Sequence, residues 1–545
     1  MQKKLLTAAV ASTLAAMGGA HADVEKSEVG DVLLVPYYTT ESGNETYINV
    51  VNTTDEFKAL KVRFREARGS EDSLDFHVYM SPEDVWTAAL TQDSDGTPTL
   101  VTNNSSCTFG RVGRTADSSG AQVRTTYVDE ISDELADAGV DYEGPAAEER
   151  IREGYVEIIE MATYADESGG TNSGNLGHWT KHVDGAPRDC GAVAALNTIA
   201  NDGDGLTPGE DASNVEFTGP DGEERTLTAT GFGNRSGGLF GSAAIINVDD
   251  ATYLPTEVTV LDTLDNGTAP SIFFSQSPRS ASELAGFTID EGLKAVKGDL
   301  QYWDLPDLST TDGSGDTGRV DAISDALAAT HIVNEFLVDP ALGAETDWVV
   351  TQPTKRFYVL GDDFFDGDGI AEGITGVGGS ISDGAITGQD YFTSAYDYAN
   401  AQSYRGEVIQ IDAWDRNERK IQFASEPSEG FSPGLPEAPT TAVLPYETTV
   451  FSFLRSESTT VNGPTPVLGA QVSTSGIAVG EDTRDGWASI NLTEGGNDNG
   501  LPVIGFAAWQ FFNDGQTATG SLNQYGGAFS HRFLQQPENG EGNND

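Results

Sequence analysis

The sequence predicts a mainly β protein, with immunoglobulin-like antiparallel β-sandwich domains and a mixed α/β middle region. Three observations carry this. Leu60-Lys61-Val62-Arg63-Phe64-Arg65 alternates strictly, with Val62 and Phe64 on one face and the bases on the other, and Leu74 to Met80 alternates again. Turn-forming residues, such as Asn52-Thr53-Thr54-Asp55, separate these runs. Strand character then returns near the C-terminus, at Glu407 to Ile411, Thr448 to Leu454, Trp487 to Leu492 and Val503 to Phe512. Short half-buried strands punctuated by turns are the sequence form of an antiparallel sandwich.

Taken in order, the chain opens on Met1-Gln2-Lys3-Lys4, an apolar run from Leu5 to Ala20, and Ala20-His21-Ala22. That is the layout of a secretory leader, so the expected mature chain begins near Asp23 and is exported. The apolar run is too short for a stable membrane span, and no transmembrane helix is expected in the mature chain. Strands are expected at Val32 to Val35, halted by Pro36, and at Thr46 to Val51. Short helices are expected at Ile131 to Leu135 and Ala146 to Arg152, and a strand at Tyr155 to Glu160. The Gly237 to Val248 segment reads as a glycine hinge feeding a strand. Apolar residues three and four apart predict helices over Ser280 to Lys297 and Val320 to Leu337. Strands follow at Asp347 to Thr351 and Arg356 to Leu360. The expected organisation is a leader (1–22), sandwich strands (23–95), a loop-rich region with helices (96–345), a β-rich domain (346–534) and an acidic disordered tail (535–545).

Composition narrows the partners. Against 30 Lys and Arg, 86 Asp and Glu leave a formal charge of −56. Salt adaptation, calcium binding and resistance to sticking each account for such a surface. All three disfavour nucleic acid, because no basic patch exists to release counterions. Cys107 and Cys190 are the only cysteines, and in an oxidising compartment an even count predicts a disulfide.

Two segments suit calcium. Asp202-Gly203-Asp204 with Glu210, and Asp366-Gly367-Asp368, alternate carboxylates with glycines that let the backbone fold around a hard cation. Neither completes an EF-hand. His178 and His182 stand four apart, a spacing that places two imidazoles on one helix face, so they form a weaker metal candidate. Their setting between Asn175-Leu176-Gly177 and Gly185-Ala186-Pro187 favours instead a structural loop stapled at Cys190. No nucleophile elbow, Walker loop or dinucleotide fingerprint occurs, and no catalytic residue is assigned.

Val32 to Leu90, Thr346 to Tyr358 and Leu501 to Phe506 resemble a group of secreted proteobacterial proteins described only as cell-surface proteins. The resemblance implies location and carries no site residue. The function expected is an exported, non-enzymatic cell-surface protein with a structural, adhesive or assembly role, self-associating or bound to a surface partner with calcium. The alternative is a secreted hydrolase or carbohydrate-binding protein, with Trp348, Trp414 or Trp487 as sugar platforms. An outer-membrane barrel ranks third, because the helical middle and polar tail do not suit one.

Overall fold

The computed structural model describes residues 23–24, 29–68, 70, 72–94, 96–110, 123–126, 147–164, 176–191, 215–218, 224–227, 232–262, 267, 318–355, 391–392, 406–421, 440–456, 461, 463–473, 476–494, 500–512 and 524–534. The expected leader, the helices expected over Ile131–Leu135 and Ser280–Lys297, the strand expected at Arg356–Leu360, and the expected tail lie outside them. The described chain is mainly β, in several antiparallel sheets, none of which closes into a barrel.

Two large sheets form the first half. The first runs Asp23–Val24, Thr259–Asp262, Val32–Thr39, Glu153–Tyr164, Phe57–Glu66, Asp72–Met80 and Cys107–Gly110, in that spatial order. The second runs Thr252–Thr256, Leu239–Asn247, Asn44–Asn52, Val85–Gln92, Pro98–Thr102 and Val123–Thr126. Their facing residues interleave in one core: Leu33, Val35, Val62, Phe64 and Phe76 from the first sheet meet Ile48, Val50, Trp86 and Leu90 from the second. The pairing therefore draws in strands as distant as Asp262.

Two smaller sheets form the second half. One runs Thr440–Leu444, Glu407–Asp415, Asp485–Asn491, His331–Leu337 and Arg532–Leu534; the other runs Ile477–Ala478, Thr448–Leu454, Ala344–Thr351, Ile504–Phe511 and Tyr525–Ser530. Ile332, Phe336, Ile409 and Ile490 pack against Trp348, Phe453 and Ala507 between them. Segment 320–337 divides: a helix covers Gly318–Leu327, and His331–Leu337 is a strand. Ile332 and Phe336 are four apart, a spacing that fits both periods, and here β-pairing to Asp485–Asn491 decides.

Pro36 does not halt its strand, which continues to Thr39. The register against Glu153–Tyr164 shifts between Gly154 and Val156, so the residue without an amide proton sits at a bulge and forfeits no ladder bond. Gly154 is needed there because a Cβ would lie 1.8 Å from the Arg65 carbonyl oxygen. Gly154→Ala is expected to cost about 1–3 kcal/mol, the usual range for overpacking, read as a lowered urea midpoint with an unchanged slope.

The bases of the Phe57–Glu66 strand do not face solvent. Lys58, Lys61, Arg63 and Arg65 are all buried. Arg65 Nε reaches Glu157 Oε2 at 3.2 Å, Lys58 Nζ reaches Glu160 Oε1 at 2.8 Å, and Arg150 reaches Glu66 Oε1 at 2.9 Å. The second half of the chain covers part of this polar face. Tyr155 Oη donates to Pro353 O at 3.3 Å, Thr448 N to Ala67 O at 2.8 Å, and Thr351 Oγ1 to Pro36 O at 2.6 Å. Tyr37, Ile245 and Leu254 join Val349, Tyr446, Leu468 and Phe506 in an apolar cluster that spans the two halves.

Candidate functional site

The expected disulfide forms, joining Cys107 to Cys190 with 5.4 Å between Cα atoms. It fastens a short helix, Leu176–Thr180, and a hairpin, His182–Val183 with Ala186–Pro187, to an edge strand of the first sheet. The hairpin follows from its two turn residues. Asp184 and Gly185 have φ of 54° and 88°, the left-handed pair that a two-residue type I′ turn demands and that Asp-Gly supplies readily. The helix is held by Leu176 and Trp179 in the core and by Thr180 Oγ1, which shares a 3.1 Å hydrogen bond with Tyr164 Oη.

This arrangement brings His182 against two serines and an aspartate from the first half. Nδ1 lies 2.8 Å from Ser81 Oγ and 3.7 Å from Asp84 Oδ2. Nε2 lies 3.1 Å from Ser105 Oγ, which also lies 3.0 Å from the Gly185 carbonyl oxygen. Asp84 is fixed in turn: its Oδ2 accepts from Ser81 N at 3.2 Å and Ser106 Oγ at 2.9 Å, and its Oδ1 accepts from Val85 N at 2.8 Å. The His182 side chain is 21% exposed and Asp84 10%, so the imidazole is reachable while the carboxylate is sheltered. A serine hydroxyl on one imidazole nitrogen and a carboxylate near the other is the layout of an activated nucleophile. Ser81 and Asp84, from one loop, and Ser105, from another, carried no sequence signal, because only folding brings them to His182.

His178 stays on the short helix, where its ring packs edge-on against Trp179 with centroids 4.8 Å apart. Among the described residues, no group of three His, Cys, Asp or Glu side chains is placed to hold a metal. Asp202, Asp204, Glu210, Asp366 and Asp368, the calcium candidates, lie outside the described residues.

The three tryptophans divide. Trp348 is wholly buried, its Nε1 donating to Glu335 O at 3.2 Å. Trp414 and Trp487 face each other across paired strands, stacked with centroids 4.1 Å apart and planes 12° from parallel. Lys420 Nζ stands 5.7 Å from the Trp414 ring centre. Trp487 is 41% exposed, yet the pair spends one indole face of each ring on the other. Such a pair stabilises a cross-strand contact and leaves less flat surface for a sugar ring.

Two buried carboxyls sit where the halves meet. Glu153 accepts from Tyr37 Oη at 2.6 Å and Gln471 N at 2.7 Å; burial pushes it up to about 7, those hydrogen bonds opposing. Asp347 accepts from Leu468 N at 2.9 Å, Val467 N at 3.0 Å and Ser452 Oγ at 2.8 Å, and burial raises it against those bonds. Asn44 Nδ2 donates to Leu468 O at 2.8 Å. Glu153 thus ties the 465–472 segment to the first half and Asp347 ties it to the second, and neither carboxyl is open to a substrate.

Compared with protein-family models, curated proteins and solved structures, the chain matches none.

Proposed function

We propose that this chain is an exported protein of the cell surface, built on immunoglobulin-like β layers, with a structural or assembly role that depends on salt or calcium. The observation that carries the reading is where the charge sits. Among the described residues, seven buried Lys and Arg are balanced by nine buried Asp and Glu. The buried groups therefore nearly cancel, and almost all of the formal charge of −56 belongs to the rest of the chain. A body so charged repels its own copies in dilute buffer and approaches them once salt screens it or divalent cations bridge carboxylates. The disulfide suits an oxidising compartment, in agreement with the leader-like start.

The test is size-exclusion chromatography with light scattering on residues 23–545, at low and high salt, with calcium or a chelator. Calcium-dependent growth into large particles that a chelator reverses is the expected result. A strict monomer under all conditions would remove the assembly role and leave the acidity as adaptation to a salty medium.

A further inference from the structure

Beyond a structural role, we propose that Ser105 is a nucleophile toward carboxylic esters, with His182 as its general base. Ser105 Oγ and His182 Nε2 are 3.1 Å apart, within reach for proton transfer. His182 is held from its other side by Ser81 Oγ at 2.8 Å, and Asp84 Oδ2 stands 3.7 Å from Nδ1, on the side away from Ser105. The Cys107–Cys190 bond and the Asp184-Gly185 turn fix the two reacting segments relative to each other, so the pair does not depend on a chance side-chain encounter. A merely structural histidine would be satisfied by Ser81 and by burial. This one is partly open to solvent and keeps its second nitrogen on a hydroxyl that is itself only partly buried.

The step balances without a cofactor. Ser105 Oγ attacks the ester carbonyl carbon while its proton passes to His182 Nε2. The tetrahedral adduct collapses as the carbonyl carbon–alkoxy oxygen bond breaks, and His182 returns the proton to the leaving alcohol. Water, deprotonated by His182, then attacks the acyl carbon; the acyl carbon–Ser105 Oγ bond breaks, His182 returns the proton to Oγ, and the acid leaves. Two features set the pace. The Gly185 carbonyl competes for the Ser105 proton at 3.0 Å, and the Ser106 amide, the neighbour that would ordinarily steady an oxyanion, is committed to Asn104 Oδ1 at 2.7 Å. The site is therefore suited to slow, near-stoichiometric acylation more than to rapid turnover.

The experiment uses the disulfide-bonded chain and a biotinylated fluorophosphonate. In this reaction the Oγ–P bond forms, the P–F bond breaks, and His182 takes the serine proton as fluoride leaves. Peptide mass spectrometry is expected to place the adduct on Ser105. His182→Gln should slow labelling at least about a hundredfold, the low end of general-base effects, and Ser105→Ala should abolish it. Asp84→Asn should slow it severalfold and Asp84→Glu should restore most of the rate, whereas His178→Gln should change nothing. Each variant is first checked for an intact disulfide and an unchanged melting temperature. For any variant that fails this check, the wild-type chain labelled with and without diethylpyrocarbonate modification of His182 replaces it. Adducts confined to other residues, or a Ser105 rate indifferent to His182, would overturn the proposal.

Discussion

Glu160→Ala is expected to destabilise the protein by about 3–5 kcal/mol, the range for breaking a buried ion pair by removing one partner. Lys58 and Glu160 are both completely shielded from solvent and 2.8 Å apart. The carboxylate also accepts from Gly237 N at 2.7 Å and Ser236 N at 3.2 Å, so its loss strands an ammonium and two backbone amides. Burial raises Glu160, and the Lys58 ammonium and the Ser236 and Gly237 amides oppose that rise. The contrast is the double change Lys58→Met with Glu160→Leu, which removes both charges and keeps volume. It should cost far less than Glu160→Ala, because two desolvation penalties vanish along with the attraction. Urea unfolding at fixed high salt measures both. If the double variant proved as unstable as the single one, the pair would be a net source of stability.

That pair also marks where sequence reading stops. Alternation at Leu60 to Arg65 located the strand, and Thr448–Leu454 is a strand over the predicted span. A period of two does not say which face meets water. The eye assigns bases to solvent, yet Lys61, Arg63 and Arg65 are buried because carboxylates on the neighbouring strand and the second half of the chain cover them. Only pairing between distant segments produces that cover, and local pattern carries no trace of it. Pro36 misled for a related reason, since a bulge in its own strand, set by pairing with a partner over a hundred residues away, excuses its missing donor. The site divides the same way. The cysteine count announced the disulfide, and Asp184-Gly185 is a turn signal that can be read without a structure. Ser105 and Asp84 are ordinary loop residues until the fold sets them beside His182.

Stability should respond to pH through two buried groups of opposite sign. Glu153 is pushed up to about 7 by burial, while an exposed glutamate titrates near 4.5. Between those values the folded chain holds a proton that the unfolded chain has released, so stability falls as pH rises through the window. His531 is pushed down to about 4 from 6.5 by burial, with the Val349 carbonyl opposing. Its Nε2 donates to Val349 O at 2.9 Å and its Nδ1 lies 3.2 Å from Asn334 Nδ2, an arrangement that suits the neutral ring. Between pH 4 and 6.5 the unfolded chain binds the extra proton, so stability is lost as pH falls. Each displacement corresponds to roughly 3 kcal/mol. Where the windows overlap the slopes oppose, and each substitution should uncover the other. Relative to wild type, Glu153→Gln should gain up to about 3 kcal/mol as pH rises from 4.5 to beyond 7, once the charge it lacks is the one being desolvated. His531→Gln should instead gain on wild type as pH falls from 6.5 toward 4. Lost contacts add a constant to each difference, so the slope is the readout, taken from urea titrations at fixed ionic strength. Variant curves running parallel to wild type would mean that the unfolded chain keeps these groups as shielded as the folded one does. The direction matters for the seam between the halves: Glu153 and Asp347 are raised by burial against the hydrogen bonds they accept from the 465–472 segment, so mild acid relieves their burial cost while weakening those bonds.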